Sequence, residues 1–191
     1  FCGHSQVEPG TGETMVEAAL SLLHELHDGP PAEASIGPMT TDDASALQEF
    51  YNGLDAQARR LFRPNGWNMT HATCVQICQS CATGKRFDLV LRAGKNIVGW
   101  AFLVKMDSDT PSLGIGLAES WRGQGWGKRL MEGLVAEATR RGKKAITLIH
   151  VKQNAAAAAL YRALGFHPPQ ADTGEHLGSD GNEYLQLKRT L

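Results

Sequence analysis

The order of hydrophobic patterns along the 191-residue chain predicts an α/β protein built on a mixed sheet flanked by helices. Three observations carry that expectation. Apolar residues recur at every second position through RFDLVLRAG (86–94), NIVGWAFLVKMD (96–107) and PSLGIGLAESW (111–121), the mark of three successive strands. A glycine-rich link, RGQGWG (122–127), then opens a stretch of helical period. Finally the apolar run AITLIHV (145–151) is followed at once by AAAAALYRALGF (155–166), and the chain closes on the alternating NEYLQLKRTL (182–191).

Each element has a local reason. TMVEAALSLLHELHDG (14–29) places Val16, Leu20, Leu23 and either Ala19 or Leu26 on one face and stops at Gly29 before two prolines. Residues 1–34 are therefore expected to be a helical extension and linker, and residues 35–191 a single domain. That domain starts with a short strand, after which Thr41 or Asp42 caps a helix with Ala46, Leu47, Phe50 and Leu54 inward. DAQARRLF (55–62) is a second helical piece, ended near Pro64-Asn65-Gly66, and residues 68–83 read as a third up to Gly84. RAGKN and DSDTP supply the turns between the three strands. Leu130, Leu134, Val135 and Ala138 share a face of the next helix, whose stop is Gly142, with Arg140 and Arg141 at the negative end of its dipole. Asn154 caps the last helix, and its run of alanines has the highest helix propensity available.

Composition excludes several function classes. With 42% hydrophobic and 20% charged residues the chain matches ordinary globular usage. A net charge of −1 gives no electrostatic case for nucleic acid or an anionic membrane. No apolar run approaches the roughly 18 residues of a membrane span. The opening FCGHSQVEPG also lacks the pattern of a signal peptide, so a cytoplasmic location is expected. Four cysteines are too few for a disulfide scaffold, and reduced thiols are the expected state.

Arg122-Gly123-Gln124-Gly125-Trp126-Gly127-Lys128 sits between a strand and a helix. Such a loop exposes consecutive backbone N–H groups at the positive end of a helix dipole, and glycine lets an anion approach closely, so a phosphate is its natural guest. The Walker pattern fails, because Arg122 stands where its first glycine belongs and Arg129 where Ser or Thr must hold magnesium. The dinucleotide pattern fails at Lys128.

Arg122-x-x-Gly125-x-Gly127 resembles the Gln/Arg-x-x-Gly-x-Gly/Ala loop of the GNAT superfamily, the acetyl-CoA-dependent N-acetyltransferases. Asn154-x-x-Ala157-x-x-Leu160-Tyr161-x-x-Leu164-Gly165-Phe166 resembles that family's second signature. The likeness in element order covers about residues 35–191. It implies the GNAT fold, a mixed and mostly antiparallel sheet of six to seven strands, and transfer of acetyl from acetyl-CoA to a primary amine by direct attack. The coenzyme's pyrophosphate would lie on the amides of Arg122 to Lys128, its pantetheine arm along the fourth strand near Leu117 and Ala118, and Asn154 beside it. Gly114 and Gly116 would accommodate the bulge that this strand usually carries. A backbone N–H near Leu117 would meet the developing oxyanion. Tyr161 takes the position of the tyrosine that protonates the leaving thiolate. For the base the sequence offers Glu119 at the strand end, His150 where relatives often carry valine, or a water chain. The resemblance leaves room for a homodimer, and the acceptor is either a small-molecule or a protein amine.

HATCVQICQSC (71–81) spaces Cys74, Cys78 and Cys81 on one helical face with His71 at its edge. A tetrahedral metal site would require that helix to unwind, so a packing stripe beside the acceptor site is the expectation. Two other functions stay open: a non-catalytic acyl-CoA-binding module on the same fold, and a metal or redox protein built on these thiols.

Overall fold

The computed structural model describes residues 34–169, 174–178 and 180–191, so the helix expected over 14–29 lies outside the described residues. β1 (Ala34–Pro38), β2 (Phe87–Ala93), β3 (Asn96–Val104) and β4 (Ser112–Leu117) pair in that order, all antiparallel. β5 (Ala145–Val151) joins β4 in parallel, β7 (Glu183–Thr190) pairs antiparallel with β5, and β6 (Glu175–Leu177) forms the far edge. The result is the mixed sheet that the strand patterns predicted, mostly antiparallel as the family resemblance implied, here with seven strands in the order β1-β2-β3-β4-β5-β7-β6.

Alternation along the strands divides the interior into two cores. Ala101 and Leu103 of β3 face a layer of two helices, α4 (Trp126–Arg140) and α5 (Ala155–Ala163), with Leu130, Met131, Leu134 and Phe166 fully enclosed. Trp100 and Phe102 face the opposite layer, α1 (Ala44–Asn52), α2 (Ala56–Leu61) and α3 (His71–Ala82), where Leu47, Tyr51 and Cys74 are buried. Each helix has its stop or start signal in sequence. Asp55 caps α2 by accepting from Ala58 N–H at 2.9 Å, and Thr70 caps α3 by accepting from Thr73 N–H at 3.1 Å. α1 starts slightly after the expected cap at Thr41 or Asp42, with Asp43 as its N-cap, and a 3-10 turn leads into it. Thr40 N–H and hydroxyl both bond the Asp43 carboxylate, at 2.6 and 2.9 Å, across a short 3-10 turn.

The three thiols of α3 are free. Cys74 and Cys78 are buried between α1 and the sheet, while Cys81 is half-buried. Burial raises the Cys74 thiol, and burial together with the Asp43 carboxylate pushes Cys78 up to about 11. Burial first and then the charge of Asp88 raise Cys81 as well. Thiols held protonated pack as small hydrophobes and make poor metal ligands. Among the described residues no group of three or more His, Cys, Asp or Glu is arranged to hold a metal ion, and no helix is long and apolar enough to cross a membrane.

The expected bulge in β4 is absent. The β3–β4 register runs without interruption from Val104↔Ser112 to Gly99↔Leu117, and the irregularity falls instead between Leu91 and Arg92 of β2. Gly114 and Gly116 serve close approach: a Cβ would lie 2.3 Å from the Phe102 ring at the first and 2.5 Å from the Phe62 ring at the second.

Candidate active site

β4 and β5 stay together for only two residue pairs, Ser112↔Thr147 and Leu113↔Leu148, and then diverge. Ala118 N–H donates to Val98 O at 2.9 Å, so in an antiparallel pair Gly116 and Gly114 also turn their backbone groups toward β3. Ile115 and Leu117 must then direct theirs toward the gap, where β5 no longer receives them. Leu117 C=O finds a partner there, the Arg122 Nε–H at 3.1 Å. The gap opens into a cleft of about 450 Å³, floored by β4 and walled by the 122–128 loop, the start of α5 and the end of α2.

The loop forms because Gly123 and Gly125 take φ of +72° and +83°, the left-handed region open to glycine at little strain. Gly125 is the N-cap of α4. The N–H groups of Gly123 through Lys128 have no main-chain acceptor among the described residues, and the first bond of the helix, Arg129 N–H to Gly125 O, comes only after them. This is a cradle for an anion at a helix N-terminus, with Lys128 beside it. Its side chains are tied elsewhere. Gln124 Nε2–H donates to Ser120 O at 2.6 Å, and Trp126 packs against Trp121 with the Arg129 guanidinium over its ring at 4.5 Å. Arg122 ion-pairs with Asp55, the cap of α2. Burial alone would raise the Asp55 carboxyl, but the Ala58 N–H and Arg122 outweigh it and hold it low.

On the other wall Asn154 Oδ1 accepts from Ala157 N–H at 3.1 Å and starts α5. Tyr161 lies two turns further on, the third residue from the helix end. There the Phe166 N–H bonds Tyr161 C=O at 3.0 Å and the Gly165 N–H bonds Arg162 C=O, a Schellman stop. The Tyr161 and Phe166 rings meet at 6.3 Å, the apolar contact that accompanies that stop, so the Leu-Gly-Phe end of the motif fixes where the tyrosine sits. Tyr161 is 7% exposed, and burial pushes its phenol up to about 12. Its ring centroid lies 5.4 Å from that of His150, at the end of β5. Burial lowers the His150 pKa.

Of the residues nominated from sequence, Leu117, Arg122, Gly123, Gly125, Gly127, Lys128, His150, Asn154 and Tyr161 all line this cleft. Glu119 does not. β4 ends at Leu117, and Glu119 sits exposed on a 3-10 turn, where with Ala118, Glu49 and Asp55 it borders a separate hollow. Gln124 and Trp126 belong to the loop without lining the cleft. The sequence reading missed Asp55, Phe62 and Ile149. Asp55 before a helical run is a cap signal, but its partner Arg122 is 67 residues away. Ile149 is 55% exposed on a strand that reads as buried.

The comparisons agree with this geometry. Residues 49–166 match the model of the acetyltransferase (GNAT) family. An acetyltransferase of the GNAT family from Streptococcus pneumoniae superposes with a TM-score of 0.70 at 18% identity, over 83% of this chain and 99% of that one. A putative acetyltransferase from Salmonella typhimurium, solved with its cofactor acetyl-CoA, gives 0.68 at 20% identity over 83% and 94%. Ribosomal-protein-alanine N-acetyltransferase from Brucella melitensis gives 0.67 at 23% identity over 82% and 99%. No curated protein sequence matches the chain significantly. The fold and cleft define an α/β protein that opens its sheet beside a helix start with uncommitted N–H groups. The chain belongs to the acetyltransferase (GNAT) family.

Proposed function

We propose that the protein transfers the acetyl group of acetyl-CoA to a primary amine by direct attack, with both substrates bound in the β4–β5 cleft. The observation that carries this reading is the divergence of β4 from β5 after Leu113, directly beside the uncommitted N–H groups of Gly123 to Lys128. Acetyl-CoA has two features that fit. Its pyrophosphate matches the loop amides and Lys128, and its pantetheine amides match the strand-edge groups of Ile115 and Leu117.

Several residues of this chain then have defined tasks. Arg122 braces the end of β4 through Leu117 C=O and ties the loop to α2 through Asp55. The Leu117 N–H, directed into the gap, donates to the carbonyl oxygen as charge builds on it. Tyr161, un-ionised at neutral pH, supplies a proton to the departing thiolate. Ala58, Leu61 and Phe62 of the α2 segment form the wall facing the coenzyme side, where the amine enters. The catalytic domain is residues 35–191.

The test is thiol release from acetyl-CoA over a panel of benzylamine, spermidine, kanamycin, and peptides starting with alanine or containing lysine, with the acetylated product identified by mass. Amine-dependent thiol release is expected. Tight acetyl-CoA binding with no acetylated product from any amine would instead leave an acyl-CoA-binding module.

A further inference from the structure

Gly116 of β4 carries no side chain on the face of the sheet that α2 covers, and the Phe62 ring takes that space: a Cβ on Gly116 would lie 2.5 Å from it. Phe62 ends α2. Its N–H donates to Ala58 O at 2.8 Å and its backbone then turns extended, which leaves the ring in the wall of the cleft. Tyr51, Trp100 and Phe102 meet that ring with centroids at 6.3, 5.9 and 6.2 Å. Those three are buried, whereas Phe62 is half-buried, and of the four only Phe62 lines the cleft. It is the outermost ring of an aromatic cluster and stands between the cleft and the core behind it.

A buried polar cluster holds this wall in place. Trp100 Nε1–H donates to Asp88 Oδ2 at 2.7 Å, and Asp88 takes two further bonds from Arg86, at 2.7 and 2.8 Å. Asp88 is 1% exposed, so the indole can swing aside only by leaving a buried donor and a buried carboxyl short of a partner. The Arg86 guanidinium also covers the Trp100 and Phe102 rings, at 5.7 and 5.1 Å. Tyr51 is tied from another side, its hydroxyl donating to Gly66 O at 2.6 Å. The rings behind Phe62 are thus fixed, and Phe62 has no space to retreat inward.

We propose that Phe62 sets the size limit for the acyl group and holds the cleft to a two-carbon chain. The inference deepens the acetyl-transfer reading above and rests on its placement of the acyl-CoA. The Leu117 N–H assigned to the carbonyl oxygen belongs to the peptide unit that begins at the Gly116 Cα, and the Phe62 ring lies against that Cα. A carbonyl bound there sets its acyl carbons beside the ring: a methyl group packs on the ring's open edge, and each further carbon runs into it. The ligand class is therefore acetyl-CoA rather than its longer homologues. Removal of the ring leaves a slot lined by Tyr51, Trp100 and Phe102, with room for more carbon than the two that butyryl adds to acetyl.

The experiment compares acetyl-, propionyl- and butyryl-CoA on the full chain, by thiol release with the fastest acceptor of the panel and by calorimetric binding without acceptor. In the wild type each added carbon should cost on the order of tenfold or more in kcat/KM, as one methylene does in a closed apolar pocket. Phe62→Ala should bring butyryl-CoA to within about tenfold of acetyl-CoA, with the affinities shifting in the same order. Phe62→Leu, which keeps an apolar side chain in case the alanine variant does not fold, should admit propionyl-CoA and still reject butyryl-CoA. Gly116→Ala supplies a readout that general loosening would not. Its methyl group displaces the ring, so Tm should fall in the wild type but less in the Phe62→Ala background, where that methyl enters the slot and turns butyryl-CoA away again. A wild type that takes acetyl- and butyryl-CoA alike, or an unchanged ratio in folded Phe62→Ala, overturns the size limit and leaves acetyl transfer intact. If no acyl-CoA gives product with any amine, the acetyl-transfer reading falls. The affinities then decide the size limit separately: weaker binding of butyryl-CoA, relieved in Phe62→Ala, upholds it for an acyl-CoA-binding site, and equal binding overturns it.

Discussion

Gly125→Ala separates the loop's two roles, as a turn and as an anion cradle. A Cβ built on Gly125 meets nothing within 4 Å, so the substitution creates no clash in the free protein. Its stability effect comes from the backbone alone. At φ +83° an alanine pays the left-handed penalty, about 1–2 kcal/mol. For a chain of this size each kcal/mol lowers Tm by roughly 2–4 °C, so a drop of about 2–8 °C is expected, with the fold retained. The effect on ligand is of another kind. Gly125 lines the cleft within the run of free N–H groups, where a phosphate oxygen would need to come within about 3 Å of the backbone. A methyl group there holds it off, and acetyl-CoA affinity should fall at least tenfold, about 1.4 kcal/mol or more.

Gly84→Ala provides the control. Gly84 follows α3, has φ +74°, and likewise has nothing within 4 Å of an added Cβ. It carries the same backbone strain and does not border the cleft. Calorimetric titration with acetyl-CoA, beside thermal melts, should therefore give similar losses of Tm for the two variants and a loss of affinity for Gly125→Ala alone. Equal affinity in both variants would show that the loop amides are not the phosphate site.

Tyr161→Phe keeps the ring and its contact with Phe166, so stability and acetyl-CoA binding should hold while the single-turnover rate falls within ~10²–10⁴; an unchanged chemical step would assign the hydroxyl to packing. Replacing Cys74, Cys78 and Cys81 together by Ala removes two buried sulfurs at about 1 kcal/mol each, roughly 4–8 °C in Tm. Metal content should be the same before and after, and stoichiometric zinc or iron confined to the wild type would contradict the packing role. Hydrogen bonding from Arg140, aided by Arg141 and opposed by partial burial, holds the Glu137 carboxyl down at about 2. A lowered carboxylate pKa stabilises the fold above the unfolded value of about 4.5, and that contribution disappears as pH falls from there toward 2. Glu137→Gln should thus lower stability at pH 7 and flatten its decline between pH 5 and 2, measured by denaturant unfolding; parallel pH curves would refute the pairing.

What the sequence revealed, and what it hid, divides by the range of the interactions. Strands β2 to β5, the cap Asn154 and the glycine loop are set by neighbours a few residues away, so periodicity and capping chemistry found them to within a residue or two. Short β6 was missed, because its three residues are all exposed and carry no alternation. Gly114 and Gly116 show the limit from the other side. Two glycines in a strand signal either a bulge or a close approach, and only the placement of Phe102 and Phe62 by other elements decides between them. Glu119 shows the same limit. A strand pattern does not reveal that the chain leaves the sheet at Leu117, yet two residues are enough to carry a carboxylate out of the cleft. His150 was legible as an anomaly, a histidine in a buried apolar strand, but its meaning lay in one hydrogen bond. Because Nδ1 is fixed on Val151 O, the second nitrogen has to be an acceptor, and the fold leaves that acceptor unpartnered beside Tyr161.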